Sequence, residues 1–204
     1  MSSGVFITFE GIDGVGKTTQ LNKVYQKCIE LGYSVIKTRE PGGTNIGMRI
    51  RELLLDPGLD EMAQHTEALL YAADRAQHIQ EVIKPALKSG NVVLCDRYLD
   101  SSIAYQGYGL DRDIALIKEV NKWAIAGIMP KITFCLDQEP EIALKRTKGD
   151  RIEQRTIEYY RKVRAGYRHI AISEPDRFCL IDANGTVEQV FHRIWYIIAG
   201  RGIL

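Results

Sequence analysis

Residues 5–18, VFITFEGIDGVGKT, decide the fold. The first six, VFITFE (5–10), are apolar, alternating and β-branched, which is strand composition. The last eight, GIDGVGKT (11–18), match G-x-x-x-x-G-K-[ST], a loop whose backbone N–H groups cradle phosphate. The next stretch, TQLNKVYQKCIEL (19–31), has helical spacing. Strand, loop and helix in this order set an anion against a helix N-terminus. The expected ligand is a nucleoside triphosphate, on Gly11, Ile12, Asp13, Gly14, Val15, Gly16, Lys17, Thr18 and Thr19. Lys17 is expected to reach the β- and γ-phosphates and the Thr18 hydroxyl to ligate Mg²⁺.

Outward from this loop, strand-like runs recur at 34–38, 91–96, 131–137 and 177–182. Helix-like segments lie between them, at 17–31, 45–55, 64–88, 111–126, 138–147, 153–172 and 185–199. Alternating β and α predicts an α/β chain of the P-loop NTPase fold. Its five-stranded parallel sheet would carry helices on both faces, with a short lid at about 145–155. The 204 residues are expected to form a single domain. KRTKGDRIEQR (145–155), the least apolar stretch, predicts an exposed, mobile segment.

Net charge is +1, so no bulk field draws the chain to nucleic acid or membrane. MSSG at the start lacks the charged and apolar regions of a signal peptide, and a cytoplasmic location is expected. Cys28, Cys95, Cys135 and Cys179 form no C-x-x-C and read as buried hydrophobes. TKGD (147–150) and DANG (182–185) occur in the reverse of the order a GTP-binding protein needs, which excludes that class. Three strand-like runs end in aspartate, at Asp96, Asp137 and Asp182, and any of them could support Mg²⁺. Asp96 is preferred because Arg97 follows it, setting a carboxylate for the metal beside a guanidinium for phosphate.

With DRYLDSSIAYQG (96–107) the chain resembles the thymidylate kinases, in their bacterial-type branch. FEGIDGVGKTT (9–19), TREPGGT (38–44), EALLYAADR (67–75) and RIEQ (151–154) carry the same resemblance over almost the whole length. It implies phosphorylation of dTMP to dTDP by Mg-ATP, with a homodimer built on segments 64–88 and 98–126. Other P-loop nucleoside or nucleotide kinases, and a non-catalytic nucleotide-binding module, are the alternatives.

The resemblance also implies roles. Tyr71 stacks on thymine, and Arg75, one turn on, faces O4, where it would oppose the amine of dCMP. Gln106 faces the thymine edge with Ser102 nearby, and Tyr105 lies against the 2′ carbon of the sugar. Asp13 accepts the 3′-hydroxyl, Arg97 and Arg51 hold the 5′-phosphate, and Arg39 and Glu40 open a loop with a cis bond before Pro41. Gly14 and Val15 leave the phosphate loop without an arginine, so the lid is expected to supply the catalytic cation. Arg151 is the first choice, ahead of Lys148 and Arg146; this lid is shorter and less arginine-rich than its relatives'. Arg146 and Ala183 are expected to flank adenine. The histidines at 65, 78, 169 and 192 read as structural or surface groups, because a phosphate monoester needs no base to become a nucleophile.

Overall fold

The computed structural model describes residues 4–146 and 149–204. Its sheet contains β1 (Val5–Glu10), β2 (Val35–Arg39), β3 (Val92–Asp96), β4 (Ile132–Asp137) and β5 (Phe178–Asp182). All pairings are parallel, in the order β2-β3-β1-β4-β5. The central strands β3, β1 and β4 are apolar on both faces because helices cover both. Phe6, Ile7, Phe9, Val93, Leu94, Ile132 and Phe134 are all buried in them. The register pairs Phe9 with Asp96 and Arg39 with Asp96, so the carboxyl ends of β1, β2 and β3 finish together. Ligands of open α/β sheets bind outside such ends.

Helix α1 (Lys17–Glu30) leaves the phosphate loop and buries Leu21, Val24 and Cys28, residues spaced for one face. Helix α2 (Asn45–Leu55) starts at Thr44, whose hydroxyl accepts from the Gly47 N–H. The expected run 64–88 is continuous: α3 (Gln64–His78), five π-helical residues (Ile79–Ile83), then α4 (Lys84–Lys88). A helix not separated in the sequence reading follows β3, as α5 (Leu99–Ser102) and a wide π-helical stretch (Ile103–Gly109). Then come α6 (Ile114–Ile125), α7 (Pro140–Ala143) with a 3₁₀ turn (Leu144–Arg146), α8 (Ile157–Ser173) and α9 (Val187–Gly200). A reciprocal Thr186–Gln189 capping box opens α9. No helix among the described residues is long and apolar enough to cross a membrane.

The expected exposed segment 145–155 is exposed at Lys145, Arg146, Gly149 and Gln154 but not throughout. Residues 149–155 form compact turns in which Arg151 and Ile152 are buried. Three contacts explain this: the Arg151 N–H donates to the Leu55 carbonyl, its Nε to the Leu54 carbonyl, and its Nη2 to Glu67. Lys148 lies outside the described residues. All four cysteines are free and buried, as expected.

Candidate functional site

The loop 11–18 wraps the head of β1 as its glycines require. Gly11 has φ 128°, and a Cβ there would sit 2.5 Å from the Leu136 carbonyl oxygen. Gly16, at φ 101°, turns the chain into α1. Ile12 and Val15 put their side chains into the core, so only their backbone faces the loop's hollow. Lys17 Nζ donates to the carbonyls of Gly11 (3.1 Å) and Ile12 (2.9 Å), curled over the place where phosphate oxygens would sit. Burial, followed by the charge of Arg97, lowers its pKa from the ordinary lysine value.

Thr18 Oγ1 donates to Asp96 Oδ2 at 2.6 Å across the mouth of this cleft. The other two strand-end aspartates are committed elsewhere. Asp137 binds Arg164 (2.6 Å) and Arg168 (2.8 Å), and Asp182 turns back on Asn184. One carboxylate and one hydroxyl are a fitting protein share for Mg²⁺, which keeps waters and takes phosphate oxygens for the rest. No group of three or more acidic, His or Cys ligands exists among the described residues. The cleft also has Thr19, Arg39 and Arg146 on its walls. Arg146 Nη1 lies 3.5 Å from the Gly14 carbonyl. Ala183 is buried, its N–H on the Asp137 carbonyl, and is not on these walls.

Next to the cleft is a cavity whose walls include Tyr71, Ser101, Tyr105 and Gln106. Asp13, Glu40, Arg51 and Arg97 are walls of both spaces. Arg97 takes a left-handed backbone, φ 70°, pinned by its N–H to the Phe9 carbonyl at 2.9 Å. Its Nη2 donates to Asp13 Oδ1 (2.5 Å) and the Tyr105 hydroxyl (3.0 Å), its Nη1 to the Gly11 carbonyl (3.0 Å) and Ser101 Oγ (3.2 Å). Burial works against ionising Asp13, but the charges of Arg97 and Lys17 outweigh it and hold its pKa at about 2. Asp13 also accepts the hydroxyls of Tyr105 (2.9 Å) and Tyr160 (3.3 Å). Arg51 donates to the Pro41 carbonyl at 3.1 Å, beside the Glu40–Pro41 bond, which is cis as the resemblance implied. Arg39 reaches along the cleft towards Met48.

Four of the expected site residues make their polar contacts inside the protein. Arg75 is not on the cavity wall: it is 1% exposed and donates to Glu40, Ser102, Asn121 and the Tyr98 carbonyl. Ser102 lies behind, as one of those acceptors, and Ser101 takes its place at the cavity. The carboxylate of Glu40 turns inward, to Arg75 (2.8 Å) and His78 (2.9 Å). Arg151 is no loose lid cation, because it is paired with buried Glu67 at 2.8 Å. A buried Arg must find partners, and these found them inside the protein.

Several residues went unread: Ser101, Glu67, Arg155, Tyr160, and Glu10. Glu10 Oε1 accepts the N–H groups of Tyr98 (2.8 Å) and Ser101 (3.2 Å), capping α5 from another element. Glu67 did carry a signal. It precedes Tyr71 and Arg75 by four and eight residues, hence shares their helix face.

Against known proteins, residues 9–194 match the family model described as Thymidylate kinase. The chain is 49% identical over 204 residues to the thymidylate kinase of Halothermothrix orenii, covering 97% of each. It is also 49% identical over 194 residues to that of Pelotomaculum thermopropionicum, covering 93% of this chain and 89% of that one. Among solved structures, the thymidylate kinase of Ehrlichia chaffeensis superposes with a TM-score of 0.80 at 34% identity, over 97% of this chain and 99% of that one. With motifs, fold and full-length similarity in agreement, this chain belongs to the thymidylate kinase family.

Proposed function

We propose that the chain transfers the γ-phosphoryl group of ATP to dTMP, giving ADP and dTDP, across the wall its two spaces share. The observation that carries this is the double role of Arg97, Arg51 and Asp13, which border the phosphate-loop cleft and the apolar-aromatic cavity alike. ATP fills the cleft and dTMP the cavity, so the reacting phosphates meet at two guanidiniums. Phosphoryl transfer asks for positioning and charge stabilisation more than covalent chemistry.

The roles follow from the contacts. Backbone N–H groups of 11–19 and Lys17 hold the β- and γ-phosphates. Arg97 and Arg51 align the dTMP phosphate, and Arg97 trades contacts with Asp13 as it does so. Asp13 and Tyr105 meet the sugar, Tyr71 lies on the base, and Gln106 reads its edge. Thr18 and Asp96 would hold Mg²⁺, which would supply charge neutralisation to the transferring phosphoryl group. Arg146 is the catalytic cation from the lid side, since it borders the cleft and Arg151 does not. Glu40, Arg75 and Ser102 form the support behind the cavity. No histidine takes part; His78 braces Glu40 and Thr38.

We also propose a homodimer through α3 and α6, where Leu69, Leu116 and Trp123 are exposed. Light scattering on the purified chain tests it, and a monomer at micromolar concentration removes it. For the reaction, ADP release is followed over a panel of nucleosides and nucleoside monophosphates. Turnover is expected with dTMP, weaker turnover with dUMP, and little with dCMP. The dUMP penalty is one methyl, roughly 1–3 kcal/mol. Turnover of thymidine in place of dTMP overturns the reading.

A further inference from the structure

Of the polar side chains on the cavity wall, Gln106 is the one expected to face the base edge. An amide is ambiguous by nature: it can offer N–H or oxygen. Alone, it would bind a base edge that donates as readily as one that accepts. The cavity must therefore fix which end of the amide it presents.

We propose that Glu67 sets the base selectivity of this cavity by holding the Gln106 amide with its oxygen towards the base. The inference rests on the dTMP reading above and deepens it. Gln106 is 1% exposed and Glu67 is fully buried. Gln106 Nε2 donates to Glu67 Oε1 at 3.0 Å. Glu67 Oε2 is taken by Arg151 Nη2 (2.8 Å) and Arg155 Nη2 (2.5 Å). A carboxylate between two guanidiniums has no hydrogen to give, so the amide can face it only through nitrogen. Turning the amide would set oxygen against oxygen and discard a charge-assisted hydrogen bond. Gln106 Oε1 is accordingly left without a partner among the described residues, and Gln106 lines the cavity. This oxygen is a fixed acceptor. It matches a base whose ring nitrogen carries hydrogen at that edge, as N3–H does in thymine and uracil. Cytosine offers a lone pair at N3, and two acceptors then meet. Glu67 touches no substrate; it is a positioning residue acting through Gln106.

The test is the ratio of kcat/KM for dTMP to that for dCMP, read by ADP release, in the wild type and in Glu67→Gln. The introduced amide can donate as well as accept, so Gln106 is free to turn. The dTMP:dCMP ratio is expected to fall about tenfold, with the dTMP:dUMP ratio unchanged because the methyl is not read by the amide. Gln106→Leu should lose the same discrimination, and adding Glu67→Gln to it should change the ratio no further. A uniform fall in kcat on all three substrates with the dTMP:dCMP ratio intact would show Glu67 to be structural only. Wild-type enzyme that does not turn over dTMP at all removes the functional reading and the inference with it. Should Glu67→Gln not fold, the wild type still decides. The Gln106 side-chain N–H₂, observed by ¹⁵N NMR, must stay protected from exchange when dTMP binds. Loss of that protection means the amide has turned, and overturns the proposal.

Discussion

The two halves of the site are built on different principles. The phosphate-loop cleft comes mainly from one continuous stretch, 11–19, joined by Glu40, Asp96 and a few guanidiniums from the walls. Its chemistry is mostly backbone, and its side chains Ile12 and Val15 serve the core. The acceptor cavity draws on six separate regions: Asp13 of the phosphate loop, the loop at 40–41, α2, α3, the 97–106 segment and the turns at 150–152. Behind it lie Glu40, Glu67, Asp74, Arg75 and Arg151, charged groups that are almost fully buried. A triphosphate is gripped by N–H groups that any sequence supplies once the turn is right. A base and sugar need side chains aimed from several directions, and each aimed charge needs a second charge to hold it.

The largest expected effect tests the first half. Lys17→Ala should lower kcat by about 10³-fold, in the range of lost phosphoryl-transfer cations. Its stability should not fall, because burial already disfavours the lysine charge and its partners are carbonyls at the protein's own loop. A denaturation midpoint that drops along with kcat would erase the contrast, making the cleft as dependent on buried charge as the cavity.

Next come the two lid-side arginines, which the structure separates by function. Arg146 is exposed at the cleft, and Arg146→Ala is expected to reduce kcat about a hundredfold with an unchanged unfolding midpoint. Arg151→Met should do the reverse. It leaves Glu67 with Arg155 as its remaining guanidinium, beside the Gln106 amide, and frees the Leu54 carbonyl, for a loss of about 2 kcal/mol in urea unfolding. Its kcat is expected within a few-fold of the wild type. If Arg151→Met cuts the rate more than Arg146→Ala, the lid assignment is reversed and the original sequence expectation stands.

The same division explains what could be read from the chain. All five strand runs were legible to within one residue because the central ones are buried on both faces, which leaves an apolar signature with no periodicity to misjudge. The phosphate loop was legible because its geometry is local: Gly11 and Gly16 sit at angles only glycine takes easily. The acceptor residues Tyr71, Tyr105 and Gln106 came from resemblance, and they do reach the cavity wall. Arg75, Ser102 and Arg151 did not, for one reason. Each is spoken for by a residue distant in sequence: Arg75 by Glu40 and Asn121, Ser102 by Arg75, Arg151 by Glu67. A charge-rich stretch such as 145–155 looks solvated until its buried partners are known. Nothing in local composition announces them.

The smallest expected effect concerns the burden that buried charge places on the acceptor side. Asp74 is fully buried beneath the loop at 40–43; its Oδ1 accepts the Gly42 N–H at 2.9 Å and its Oδ2 has no partner among the described residues. Burial, then the nearby charge of Glu40, pushes its pKa up to about 6 from an ordinary 3.8. In that interval the folded chain keeps a proton that the unfolded chain has released. Stability contributed by this group is therefore intact below pH 3.8 and declines as pH rises through 6. Asp74→Asn retains an acceptor for Gly42 and has no charge to bury. The variant should gain roughly 1–2 kcal/mol over the wild type at pH 8, and clearly less at pH 5, in urea unfolding. A variant weaker than the wild type at pH 8 would mean that Arg75 and His78 draw on the Asp74 charge. The acceptor loop would then rest on a fully ionised cluster, and the cavity's buried charges would be a net support for the fold.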